Sequence, residues 1–379
     1  MEPRPVPFNR PTTASRALDY VGEALAGGHL AGDGPFTDRC RQLLEERLDG
    51  ARVLLTPSCT HALEMTALLL EVGPGDEVLM PSFTFVSTAN AYVLRGATPV
   101  FVDIDPATGN LDPDDLARKV TPASRAVVVV HYAGIACDMA RIGAVAERHG
   151  LVVVEDNAHG LFGTWRSRPL GALGAMATLS FHETKNVTCG EGGALVLSDP
   201  ALVSRAEIIR EKGTNRSQFI RGEVNRYAWM DVGSSYLLSD VLAGVLASQL
   251  EEADAIQESR RRTWCHYAEA LAPWAASCGV ILPTVPDDCG PAWHSFHLLL
   301  PDRAARDRCI GHLRDRGIGA PFHYLPLHLS DMGRRLGGHE GDCPVTEDFS
   351  ARLLRLPLHH SLLDDEVDAV VAGVRAFRP

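Results

Sequence analysis

VVVEDNAHGLFGTWRSRPLGALGAMATLSFHETKNVTCGEGG, residues 152–193, is the stretch on which the reading of this chain turns. Val152 to Val154 form an unbroken β-branched run of the kind found in strands covered on both faces. The run, predicted as a strand over Leu151 to Glu155, delivers Glu155 and Asp156 at its carboxyl end, and in an open parallel sheet that end faces the ligand crevice. A second predicted strand, Ala177 to Phe181, leads into Ser180-Phe-His-Glu-Thr-Lys185-Asn186, and Gly190-Glu-Gly-Gly193 closes the loop. Glycine permits positive φ and close backbone approach, so a lysine held beside this loop can be aimed at a planar ligand. Taken singly, an acidic pair ending a strand reads as a cap or a solvated turn, and a loop lysine reads as surface decoration. Against the second reading, lysine occurs only at 119, 185 and 212 while arginine supplies the other 33 basic residues, so this chain does not decorate itself with lysine.

The same alternation of short apolar runs and helical patterns extends outward from about residue 50 to 200. Strands are predicted at Arg52 to Leu55, Glu77 to Pro81, Pro99 to Asp103, Ala126 to Tyr132 and Gly193 to Ser198, and helices at Thr60 to Glu71, Phe85 to Arg95 and Met139 to His149. Strands alternating with helices predict an α/β fold with a mostly parallel sheet. A long helical segment, Ser239 to about Leu271, precedes Pro273, Pro283, Pro286 and Pro291. The boundary is placed there: a large domain over 1–272, including an N-terminal arm, and a smaller C-terminal α/β domain over 273–379. The smaller domain is predicted to carry a strand at Ser295 to Leu300, a helix at Ala304 to Arg316, a polar loop at Ser330 to Cys343 and a final helix at Asp364 to Ala376.

Composition sets the outer limits. The chain has 379 residues, 36 basic and 48 acidic side chains and a formal charge of −12, the wrong sign for a nucleic-acid-binding face. Apolar residues make up 45% and the mean hydropathy is −0.02, the profile of an ordinary folded soluble chain. No apolar run approaches the ~18 residues a membrane span needs, and the N-terminus carries no apolar signal core, so a cytoplasmic location is expected. The nine cysteines are scattered and never form a C-x-x-C pair, which favours reduced thiols over disulfides or zinc. His323 and His328 lack an acid or cysteine to complete a ligand set, and no metal is expected.

Thr56-Pro-Ser-Cys-Thr60 lies between the first strand and its helix. Hydroxyls and free amides at a helix N-terminus make an anion site. An anion site after the first strand, an acid after a middle strand and a lysine further on together describe a pocket for pyridoxal 5′-phosphate. There the lysine carries the cofactor, the aspartate keeps the pyridine nitrogen protonated, and the helix end holds the phosphate.

The sequence resembles the DegT/DnrJ/EryC1/StrS sugar aminotransferases, of fold type I among pyridoxal-phosphate enzymes. The resemblance runs through PGDEVLMPSFTFVSTANAYVLRGATPVFVDID, VHYAG, VEDNAHG, SFHETKN, GEGG and HYLPLH. Within the family it is most similar to the dTDP-4-amino-4,6-dideoxygalactose transaminases, through LAGDGPFTDRC, LLTPSCT, REKGTNRSQF and DVGSSYLLSD. The resemblance implies Lys185 as the Schiff-base lysine and Asp156 as partner of the pyridine nitrogen. It places Ser58, Cys59 and Ser180 at the phosphate, and Phe83 or Phe85 at the face of the ring. His159 stands where much of the family has Gln and some sugar 4-aminotransferases have His. The family commonly reads G-x-N-x-R-M-S where this chain reads Gly233-Ser-Ser-Tyr-Leu-Leu-Ser239. Ser235 therefore replaces an Asn that reaches the neighbouring subunit's cofactor, a contact that Asn225 or water can take over.

A homodimer, or dimer of dimers, with shared active sites is implied, with L-glutamate as amino donor and dTDP-4-keto-6-deoxyglucose as acceptor. The basic stretch containing Arg210, Lys212, Arg216 and Arg221 is a candidate for the nucleotide diphosphate or the donor carboxylate. His131, Tyr132, Tyr324 and His328 are placed by the resemblance near the sugar or the subunit interface. Rival readings are a 3-keto-sugar aminotransferase and a pyridoxal-phosphate-dependent sugar dehydratase of the same fold, some of which replace the lysine by histidine. An NAD-dependent oxidoreductase is disfavoured, because the first strand leads into Thr56-Pro-Ser-Cys and no G-x-G-x-x-G turn follows it.

Overall fold

The computed structural model describes residues 5–379. Twelve strands follow in chain order: β1 (Arg52–Thr56), β2 (Glu77–Pro81), β3 (Thr98–Val102), β4 (Ser124–Val130), β5 (Val152–Asp156), β6 (Thr164–Trp165), β7 (Arg168–Pro169), β8 (Met176–Ser180), β9 (Gly193–Leu197), β10 (Cys289–Gly290), β11 (Phe296–Leu299) and β12 (Leu353–Leu356). Seven form the central sheet in the order β1-β9-β8-β5-β4-β2-β3. β8, β5, β4, β2 and β3 pair parallel, and β9 lies antiparallel between β8 and β1. The mostly parallel α/β architecture is the one the strand and helix alternation predicts.

Strand side chains alternate between faces, and the cores divide accordingly. Leu54, Val78, Met80, Val128 and Val154 turn toward the helix Cys59–Leu69, itself buried along most of its length. Val53, Leu55, Leu179 and Val196 pack on the other face with the N-terminal helices Ala17–Gly27 and Pro35–Arg47 and the helix Asp240–Glu251, while Leu79, Val127 and Val129 meet the helix Met139–His149. Asp156 shares the parity of Val154, and Glu155 that of Val153.

The predicted segment from Ser239 to Leu271 is two helices, Asp240–Glu251 and Ala253–Cys278, with a break at Glu252. Pro273 does not interrupt the second one, which continues to Cys278 and ends where Gly279 adopts φ 64°. A third core surrounds the antiparallel pair β11 and β12 and also takes Tyr267, Leu271 and Val6, so the packing of this unit begins before residue 273. The predicted polar loop at 330–343 contains a short helix, Asp331–Arg335, capped by Ser330, whose Oγ accepts from the Gly333 amide at 3.0 Å.

Candidate active site

The carboxyl ends of β1, β2, β4, β5 and β8 open onto one cavity of about 580 Å³, which Ser58, Phe85, Val130, Asp156 and Ser180 reach from those ends. This is the crevice where an open α/β sheet holds its ligand.

Ser58 is the N-cap of the helix Cys59–Leu69, its Oγ accepting from the His61 amide at 3.2 Å. The remaining first-turn amides and the helix dipole favour an anion. Gly193 opens β9 directly against this turn: a Cβ there would run into the Cys59 nitrogen and the Ser58 carbonyl carbon. Only glycine lets the strand lie so close. Burial pushes the Cys59 thiol up, so it stays protonated, and it donates to Thr178 Oγ1 at 3.4 Å.

Asp156 is buried, with Thr88 Oγ1 donating to one carboxylate oxygen at 2.7 Å and the Ala158 amide to the other at 3.3 Å. Thr84 in turn contacts Thr88 at 2.8 Å. Burial raises the Asp156 pKa above the usual carboxylate range despite these bonds and the nearby Lys185. Lys185 lines the same cavity on a loop fixed by backbone bonds from its own amide to His182, from Glu183 to Gly190 and from Phe181 to Gly192, all within 2.8 to 2.9 Å. Burial lowers the Lys185 pKa, against the pull of the Asp156 carboxylate.

His159 stacks on His294 at 4.1 Å between ring centroids, and its Nε2 lies 3.3 Å from the Tyr324 hydroxyl. Burial, followed by Lys185 and His294, holds its pKa well below the normal histidine value. His159 Nδ1 is buried without a hydrogen-bond partner among the described residues. An acid without a cation, a lysine, a cradle of free amides and an unpartnered ring nitrogen on one cavity are a set into which pyridoxal phosphate fits.

The other expected site residues fall into two groups. Tyr324 lines the cavity, and Phe85 does so rather than Phe83, which is 1% exposed and packs among Tyr132, Tyr324 and Phe349. Tyr132 lies one layer back, its hydroxyl 2.9 Å from His323 Nδ1. His131 faces away, bonded to Glu155 at 2.8 Å; burial opposes its charge, but Cys137 and Glu155 outweigh that and push its pKa up to about 10. His328 is fully buried between Ser82 and Glu347. Neither histidine lines the cavity of its own chain.

The basic stretch is likewise removed from this chain's cavity and internally neutralised. Arg210 pairs with Asp33 at 2.6 Å, Arg221 with Glu207 and Glu223 at 2.8 and 2.6 Å, and Lys212 and Arg216 with Glu211 at 3.3 and 3.7 Å. Asn225 is exposed, and so is Ser235, which bridges the backbone of Glu211. Sequence reasoning missed Thr88, His294 and Arg355. Of these only Arg355 left a signal, as a lone charge inside the apolar run Leu353-Leu-Arg-Leu356.

The chain belongs to the DegT/DnrJ/EryC1/StrS aminotransferase family, whose model matches residues 11–375. It is 35% identical over 378 residues to the spore coat polysaccharide biosynthesis protein SpsC of Bacillus subtilis, covering 98% of this chain and 96% of that protein. The aminotransferase TlmJ from Streptoalloteichus hindustanus is 33% identical, with a TM-score of 0.89 and 98% of each chain covered. Spr1654 from Streptococcus pneumoniae, solved in its PMP form, is 25% identical, with a TM-score of 0.91 and 98% of each chain covered. The protein is thus a sugar aminotransferase of fold type I, dependent on pyridoxal phosphate. The family implies a glutamate-type donor, a sugar acceptor and typically a dimer.

Proposed function

We propose that the enzyme moves the amino group of L-glutamate to carbon 4 of dTDP-4-keto-6-deoxy-D-glucose, giving dTDP-4-amino-4,6-dideoxy-D-hexose of gluco or galacto configuration. The observation that carries the reading is the convergence of Lys185, Asp156 and His159 on one cavity beside the Ser58 helix end. His159 is the residue type that some sugar 4-aminotransferases share at this place, and it ties the ring site to Tyr324. The product serves deoxyaminosugar formation for an antibiotic or a surface glycan, the latter in keeping with the polysaccharide named for SpsC.

Pyridoxal phosphate supplies the electron sink when bound. Ser58, Cys59 and Ser180 hold the phosphate, and Phe85 covers the ring. Asp156, held in orientation by Thr88, keeps the proton on the ring nitrogen; a cation there reverses the cost of burying its charge. The lowered pKa of Lys185 favours the neutral amine over the ammonium, which suits it to take a proton from the donor's α-carbon and return one to the sugar carbon.

The working unit is a homodimer. Ile220, Tyr227, Trp229 and Met230 are exposed on one segment of a single chain, Trp229 to 81%, an apolar surface of the kind that marks an interface. Asn225 lies within this segment and Ser235 just beyond it, and both are proposed to reach the partner's cofactor. Mixing Lys185→Ala chains with Ser235→Ala chains then restores activity in hybrid dimers, since one site regains both intact residues; no gain on mixing removes Ser235 from the shared site.

The deciding experiment is the absorption spectrum of the purified enzyme before and after L-glutamate, followed by mass analysis of dTDP-4-keto-6-deoxyglucose incubated with it. Conversion of cofactor to the pyridoxamine form and of ketone to amine is the expected result. A bound cofactor with deoxygenation in place of amination supports the dehydratase reading instead.

A further inference from the structure

Two basic side chains other than histidine line the cavity, Lys185 and Arg355. Three of the histidines that line it, His159, His294 and His323, are held neutral, chiefly by burial, and so is His297, the cross-strand neighbour of Arg355. Lys185 is committed to the cofactor, and Arg355 has no role in the reading above. It stands on β12 opposite His297, between buried leucines. Arginines elsewhere in the fold, such as Arg10, Arg52 and Arg210, face carboxylates at 2.6 to 3.3 Å. Arg355 forms no ion pair among the described residues. One Nη donates a long bond to the Phe322 carbonyl at 3.4 Å, the guanidinium lies 4.5 Å from the centre of the Phe8 ring, and Nε is buried without any acceptor.

A guanidinium braced over an aromatic ring, with most of its five donors free, is suited to a forked contact with a carboxylate. The reaction brings two anions into this cavity. In an amino acid the α-carboxylate is bonded to the same carbon as the reacting amine. In a nucleotide sugar the diphosphate is separated from the reacting carbon 4 by the sugar ring. A cation that shares a cavity with Lys185 and the ring-facing histidines therefore suits the donor. We propose that Arg355 binds the α-carboxylate of the amino donor and so determines which compounds can donate. The inference rests on the aminotransferase reading with L-glutamate.

The test separates the two half-reactions in the complete enzyme. In Arg355→Gln, single-turnover conversion of the cofactor by L-glutamate falls about 100-fold in rate over dissociation constant, the scale for unpairing a buried charge. The return half-reaction, pyridoxamine form with keto-sugar, is unchanged. Arg355→Lys, which keeps the charge without the fork, recovers part of the loss. The two amides of glutamate sharpen the assignment: Arg355→Gln no longer prefers L-glutamate over its α-amide, yet still prefers it over L-glutamine. Loss confined to the sugar half-reaction assigns Arg355 to the diphosphate and overturns the proposal. Unchanged rates in both halves, or an undiminished preference over the α-amide, overturn it too. A wild-type enzyme inert toward L-glutamate removes the donor assignment itself, an outcome visible before any variant is made.

Discussion

Glu155 and Asp156 carry the same functional group on consecutive residues of β5 and lead opposite lives. Glu155 turns into the face packed by Val127 and Val129, where its four hydrogen bonds come from His131 and from the amides of Gly171, Leu173 and Gly174, all at 2.7 to 2.8 Å. Burial raises its pKa, but these bonds and the His131 charge more than reverse that, and the net shift is downward. Asp156 turns to the cavity, receives one short and one long bond, and its pKa moves up. Equal burial with unequal satisfaction separates a structural ion from a working one: the first has every acceptor site filled by its own chain, the second is left short of a cation.

The comparison breaks most sharply in activity. Asp156→Asn is expected to lower turnover about 10³-fold, the scale for removing one preorganised electrostatic contact, without lowering the melting temperature; near-normal turnover would end the ring-nitrogen role. Glu155→Gln reverses the pattern. It strands the buried His131 charge and costs about 3 kcal/mol of folding stability, read by denaturant titration, while turnover per folded molecule is retained.

Acid titration distinguishes the neighbours by sign. Glu155 has a lowered folded pKa, so its contribution is present above the unfolded carboxylate value and lost as pH falls through the folded one. Asp156 has a raised folded pKa, so its ionised form costs stability above the unfolded value, and falling pH relieves that cost. In the cofactor-stripped protein, Asp156→Asn should therefore exceed wild type in stability at neutral pH, with the gap closing by about pH 4. A gap that widens on acidification contradicts the assignment. The smallest effect is expected from Thr88→Val, which removes one hydrogen bond to Asp156 and about 1 kcal/mol. It should move the acid limb of the pH–rate profile upward, because the carboxylate loses a donor that favours its charged form.

Much of the central sheet was legible because its strands are β-branched runs buried on both faces; the span Glu77–Pro81 and the helix Met139–His149 coincide with those predicted from sequence. Lys185 and Asp156 were legible because the spacing of strand ends puts them on one side of the sheet. His131 also follows a strand end, but its ring turns back to Glu155 and it does not line this chain's cavity. The basic patch differs again: its carboxylate partners Asp33, Glu207 and Glu211 are fixed by tertiary packing that no local charge count reveals. Thr88 and His294 reach the site from a helix interior and a proline-rich segment, where neither periodicity nor spacing distinguishes them.

The approach of the N-terminal arm carries a practical consequence. The backbone of Val6 is bonded to Gly317 and Gly319, Asn9 donates to the Glu183 carbonyl at 3.2 Å, and Phe8 and Asn9 reach the cavity wall. An affinity tag or fusion partner attached at the start of the chain hangs only a few residues from the chamber where the sugar must enter. Material prepared for kinetics is better tagged at the far end, beyond the helix Asp364–Ala376, and an enzyme that is sluggish with a front-end tag and quick after its cleavage is behaving as this anatomy dictates.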